Sequence, residues 1–297
     1  MFLRKITAVL LAVLICAGGT SCSQIGGFFS ESSSEPESSV EESSEPEPEP
    51  ETIQFPEGYS PDLTSWELTL VNSTHKLPDD FEIELSDVTV DANTGMRVDS
   101  RIIEQVNAML ADCRSYGCPL YITSSYRSLS FQQGLFNYNV EQLVAAGMTE
   151  TEALEETRRN IATPGTSDHN LGLAIDVVTG DWYMYHDDLN ESFEETPAFA
   201  WLSEHAWEYG FILRYPKDKQ SITKINYEPW HYRYVGVENA KVIKDLGICL
   251  EEFWDIAEGK PVYVQTEEDK KPFSNLGGES SQAESEGSES AEPESAA

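Results

Sequence analysis

Basic residues are scarce in this chain. Its 297 residues include 19 Lys and Arg against 53 Asp and Glu, a formal charge of −34. Nucleic-acid binders draw their affinity from Lys and Arg set against phosphates, so the composition excludes that class. Cysteine is scarce as well: five residues with no C-x-x-C pair, which argues against a cysteine-ligated zinc. No run approaches the roughly 18 apolar residues of a membrane-spanning helix, and no internal repeat is visible. Aromatic residues are plentiful. With 39% apolar residues, 13 Tyr, 12 Phe and 6 Trp, a core can form. A domain of roughly 200 residues buries about 70% of its unfolded surface.

The acidity is partly segregated. Residues 31–51 carry nine Glu and no base, and residues 276–297 carry six Glu and no base. The remaining residues 52–275 hold 38 acids against 17 bases, so the middle is acidic in its own right. The Ser/Glu/Pro stretch at 30–51 has one apolar residue, Val40. Such a segment cannot offset its ordering entropy by burial, and like charges extend it. It reads as a stalk, and the 276–297 tail as the same kind of material.

Near the start, Arg4 and Lys5 precede 14 residues of apolar character, Ile6–Gly19. This is the pattern of a signal peptide, too short for an ordinary transmembrane helix of about 20 residues. The following Gly19-Thr20-Ser21-Cys22 resembles a bacterial lipoprotein box, with Gly19 where Leu is usual. The expected organisation is a signal peptide at 1–21, lipid attachment at Cys22 with a disordered stalk to 58, one domain at 59–275, and a disordered acidic tail. The chain is then exported and anchored to the membrane, facing the cell wall. In the exported part Cys113, Cys118 and Cys249 meet oxidising conditions, which permit a bridge but leave the pairing open.

Within the domain, apolar residues from Ile102 to Cys113 recur at helical spacing and stop at Gly117. Leu120–Ile122 reads as a strand feeding Thr123–Arg127. Ser130-x-x-Gln133 and Thr149-x-x-Glu152 read as capping boxes opening two helices, the first running to about Ala146. Leu171–Val178 alternates with strand period. Thr196-Pro197 opens a helix ended by Gly210. Phe211–Tyr215 and His231–Val235 read as strands, with Val237–Leu246 as the last helix. The mixture lacks a βαβ rhythm, so the fold class is α+β.

Of five histidines, two keep unusual company. Residues 164–176 read PGTSDHNLGLAID and residues 228–236 read EPWHYRYVG. Asp176 interrupts an apolar strand, and an unpaired buried carboxylate is costly, so it needs a partner; a cation is one such partner. His169, Asp176 and His231 would make a three-ligand site, and a catalytic zinc keeps its fourth position for water. Glu228 would be the adjacent group that is not a ligand. Packed or surface histidines fit the bare spacing too, and His186 and His205 are read that way.

Three blocks carry a resemblance: Ser125-Tyr126-Arg127-Ser128 with Gln132, then Ser167-x-His169-x-x-Gly172-x-Ala174-x-Asp176, then Glu228-x-Trp230-His231. In this order they resemble the zinc D-alanyl-D-alanine carboxypeptidases of the vancomycin-resistance Y type. The resemblance implies the fold of lysostaphin-type peptidases and hedgehog, a small antiparallel sheet flanked by helices. It implies one Zn²⁺ per domain held by His169, Asp176 and His231, with Glu228 as general base and Arg127 binding substrate near the scissile bond. Gln132 and Ser167 are candidate substrate hydrogen-bonders, whereas Gln133 is structural. The expected reaction removes the C-terminal D-Ala from peptidoglycan stem pentapeptides. The alternatives are L,D-carboxypeptidase action on tetrapeptides and a non-catalytic wall-binding lipoprotein of the same fold.

Overall fold

The computed structural model describes residues 51–271 apart from 91, 92, 94 and 268. The signal peptide, Cys22, nearly all of the stalk and the acidic tail lie outside the described residues. The strands are β1 (Thr52–Ile53), β2 (Leu85–Asp87), β3 (Arg97–Asp99), β4 (Leu120–Ser124), β5 (Ala174–Thr179), β6 (Phe211–Leu213), β7 (His231–Tyr234) and β8 (Val262–Tyr263). The helices are α1 (Ile103–Tyr116), α2 (Leu129–Ala145), α3 (Glu150–Asn160), α4 (Trp182–Tyr185), α5 (Pro197–His205), α6 (Gln220–Thr223), α7 (Val237–Leu246) and α8 (Leu250–Ala257). The central sheet has the order β4-β5-β7-β6, and every neighbouring pair is antiparallel. Two small ribbons, β1-β8 and β2-β3, lie apart from it. The α+β expectation and the small antiparallel sheet agree with this arrangement.

One core cluster joins α1 to the sheet through Val106, Met109 and Leu110 against Ile122, Ile175 and Val177, all inaccessible to solvent. A second joins Ile212 and Val235 to Ile243 of α7 and Phe253 of α8. Each such side chain contributes about 1.5–3 kcal/mol when fully buried. The site therefore rests on a sheet packed from behind by helices.

Several sequence expectations shift. Helix α2 starts two residues early, because Ser128 is its cap and accepts from the Phe131 amide at 3.1 Å. Ser130 and Gln133 form no capping box; Gln133 donates to Asn137 one turn on. The box at Thr149 and Glu152 does form. The strand expected from Leu171 begins only at Ala174, because Asp168–Leu171 make a 3₁₀ turn. Gly172 explains the break: its φ is +67°, and a Cβ there would lie 2.6 Å from Ile83 and 2.9 Å from the Asp99 amide. Helix α7 has the expected bounds but is not the last, since α8 follows. Residues before the expected boundary at 59 also belong to the packed domain. Thr52–Ile53 pairs with Val262–Tyr263, and Phe55 packs on Phe253 with ring centroids 5.0 Å apart.

Candidate metal centre

Strand register builds the centre. Asp176 of β5 lies opposite His231, the first residue of β7, and opposite Ser124 at the end of β4. Side chains alternate along β5, so Asp176 faces away from Ile175 and Val177 and leaves the core for the other face. The third group comes from the 3₁₀ turn. Ser167 caps it by accepting from the His169 amide at 3.3 Å. The His169 carbonyl accepts from the Arg127 amide at 3.1 Å, tying the turn to the loop after β4.

The donor atoms converge. His169 Nε2 lies 3.1 Å from Asp176 Oδ2, and His231 Nδ1 lies 3.0 Å from Asp176 Oδ1. The two imidazoles stand edge to face at 4.8 Å. His169 Nδ1 is 2.8 Å from the Ser125 carbonyl, which can only accept, so Nδ1 carries the hydrogen and Nε2 presents its lone pair. Burial, then the Arg127 charge, lower the His169 pKa to about 4, leaving a neutral ring near pH 7. Asp176 Oδ1 is buried and has no hydrogen-bond partner despite its closeness to His231. Lone pairs thus face one another in a water-poor place. A cation satisfies such a set, and two imidazoles with a carboxylate suit Zn²⁺.

Around these three lie Glu228 and Arg127. Glu228 Oε2 is 3.4 Å from His231 Nδ1. Burial, and next the Asp176 charge, push its carboxyl well above the usual glutamate range. Arg127 donates from NH2 to Asp176 Oδ2 at 2.9 Å and from Nε to Ser124 Oγ at 2.8 Å. Gln132 is fully buried; its amide nitrogen donates to the Ala162 carbonyl at 2.7 Å, and its oxygen accepts from Arg127 NH1 at 3.4 Å. It therefore supports Arg127 from within the protein and is not turned wholly toward a ligand. Arg127, Gln132, Ser167, Glu228 and the three converging residues all line one cavity of about 580 Å³. The α2–α3 hairpin supplies another wall through Tyr138 and Asn160. His186 stacks on Trp182, and His205 contacts Glu208; neither joins the centre.

Sequence reasoning missed the support beneath His231. Asp168 is fully buried and pairs with Arg233 and, at 2.9 Å, with Arg214 Nε. Arg214 also grips Glu251 of α8 at 2.7 and 2.8 Å. Burial alone would raise the Asp168 carboxyl, but Arg214 and Arg233 outweigh it and hold its pKa at about 2. Asp168 Oδ2 lies 4.0 Å from His231 Nε2, a buried nitrogen without a hydrogen-bond partner. The signal was available in part: Arg233 interrupts an otherwise aromatic strand as Asp176 interrupts an aliphatic one.

A two-histidine, one-carboxylate set beside a second carboxylate and a guanidinium, on a small antiparallel sheet, is the arrangement of a hydrolytic metal centre. Residues 95–237 match the family described as VanY: D-alanyl-D-alanine carboxypeptidase. A D-alanyl-D-alanine carboxypeptidase of Enterococcus faecalis is 36% identical over 192 residues, covering 65% of this chain and 67% of that protein. Among solved structures, VanYB in complex with D-alanine-D-alanine is 37% identical with a TM-score of 0.57, covering 64% of this chain and 98% of its own. A mutant of the D,D-pentapeptidase VanY from a VanB-type resistance cassette, in complex with Zn(II), is 35% identical with a TM-score of 0.56, covering 64% and 99%. The chain belongs to the VanY family of D-alanyl-D-alanine carboxypeptidases.

Proposed function

We propose that the chain is a zinc-dependent D,D-carboxypeptidase that removes the terminal D-Ala from peptidoglycan stem pentapeptides outside the cytoplasmic membrane. The observation that carries this reading is the convergence of His169 Nε2, Asp176 and His231 Nδ1 in one cavity with Glu228 and Arg127. Relatives support the substrate: VanYB was solved with D-alanine-D-alanine. One Zn²⁺ on the three residues would polarise the scissile carbonyl and make a water nucleophilic near neutral pH.

The chain's own residues do the rest. Glu228 takes a proton from the attacking water and delivers it to the amine of the departing D-Ala. Arg127 presents a planar fork to the substrate's terminal carboxylate or to the carbonyl oxygen as it gains charge. Gln132 and Ser124 hold that fork in place. Ser167, lining the same cavity, is assigned a hydrogen bond to the peptide. The cavity volume lies within the usual range for a bound small peptide.

Export rests on Arg4, Lys5 and the apolar Ile6–Gly19, and anchoring on acylation of Cys22. The Ser/Glu/Pro stalk would then hold the domain off the membrane. The direct test of the zinc reading is metal analysis of active protein beside assay after chelation. About one zinc per chain and activity abolished by chelator are expected; active protein without stoichiometric zinc would overturn it.

A further inference from the structure

We propose that Cys113 and Cys118 form a disulfide that closes the turn between α1 and β4. Both side chains are buried, and their sulfurs lie 2.8 Å apart. Carbon atoms pack at about 3.5–4.0 Å without bonding, and sulfur is larger, so this approach is closer than packing alone produces. The backbone makes the approach local. Gly117 ends α1 with φ +105°, and its amide donates to the Arg114 carbonyl at 2.9 Å. The Cys118 amide donates to the Cys113 carbonyl at 3.1 Å. These two bonds form the left-handed helix stop that folds the residue after glycine back over the last turn. The two cysteines therefore meet as soon as α1 ends, with no long-range contact required.

The chemistry follows from burial. Burial pushes the Cys113 thiol well above its usual pKa, so a thiolate is disfavoured in the finished fold. Oxidation therefore belongs to the folding chain, while the turn is still open to solvent. A small-molecule or protein disulfide is the oxidant. The Cys113 thiolate attacks one of its sulfurs and displaces the other as a thiolate. The Cys118 thiolate then attacks Cys113 Sγ, forming the Cys113–Cys118 bond and releasing the second thiol. In balance, two cysteine thiols give up two protons and two electrons, and one oxidant disulfide becomes two thiols. Cys249 lies in the N-cap of α8, buried and outside this pair. The bond would fasten the C-terminus of α1 to the start of β4, whose far end carries Ser124 beside Asp176.

The test is refolding of the full chain from reductant with glutathione disulfide, alkylation, and non-reducing digestion after Lys and Arg. Peptides 102–114 and 115–127 should emerge joined and separate on reduction. Reductant should lower the melting temperature of the oxidised protein by roughly 5 °C. The double variant Cys113→Ser, Cys118→Ser should show no response to reductant. Separately alkylated peptides after oxidation, a link from either one to another cysteine, or an undiminished reductant response in the double variant would each overturn the proposal.

Discussion

Glu228 sits 3.4 Å from His231 Nδ1, and burial, then the Asp176 charge, raise its affinity for a proton. Its assigned task is proton transfer and not metal binding, so the two properties separate on substitution. Glu228→Gln should retain zinc while kcat falls by roughly 10²–10⁴-fold; His231→Ala should lose both. Near-normal kcat in Glu228→Gln, measured beside metal content, would remove Glu228 from its role. Arg127 poses a different question, because its NH2 already contacts Asp176. Lysine keeps the charge but loses the planar fork. Arg127→Lys should therefore lower kcat/KM by roughly 10²-fold on free-acid peptides, and by less on peptides with an amidated C-terminus. An equal loss on both peptides, with a clear drop in melting temperature, would make Arg127 a brace for Asp176 alone. At this scale the sequence was informative, since Arg127, Gln132, Ser167, His169, Asp176, Glu228 and His231, each singled out from it for the chemistry, line one cavity. Gln132 was read as facing substrate. Its burial and its bonds to Ala162 and Arg127 depend on where α2 and α3 dock, which spacing along the chain does not encode.

Elements were legible where the signal is local. The Thr149 capping box and the bounds of α7 need only neighbouring residues. The Leu171–Val178 alternation misled because Gly172 turns left-handed in its midst, and period-two spacing does not register a change in φ. The cap of α2 slipped by two residues because Ser128 and Ser130 both qualify as caps and only the backbone chooses between them. The Arg214 network was least visible, since its members come from the 3₁₀ turn, the chain after β6, β7 and α8. It has a measurable consequence through Glu251. Burial opposes ionisation there, but Arg214 outweighs it and lowers the Glu251 pKa. A carboxyl lowered on folding contributes stability above its unfolded value, about 4.3, and that stability is lost as pH falls through the folded value. Glu251→Gln should thus lower the melting temperature at pH 7 and lose less further stability on acidification below about pH 4. Wild type and variant with parallel acid limbs would contradict the pairing.

For the whole molecule, the proposed leader and acidic stalk would set where the domain works, while the fold and its site set what it does there. No described helix is long and apolar enough to cross a membrane; the proposed attachment is through lipid on Cys22, on the strength of the Gly19–Cys22 sequence. Two acyl chains suffice for stable anchoring, at about 0.8 kcal/mol per buried CH₂. Cys22→Ser should move the protein from the membrane to the soluble fraction; unchanged fractionation would point to another anchor. The reaction itself is tested most directly by mass. The purified zinc-loaded protein is incubated with a stem pentapeptide ending in D-Ala-D-Ala and with the corresponding tetrapeptide, and the products are weighed. Loss of one alanine from the pentapeptide, with the tetrapeptide left intact and no release after chelation, is the expected result. Cleavage of the tetrapeptide in preference to the pentapeptide, or release that persists without zinc, would contradict a zinc D,D-carboxypeptidase.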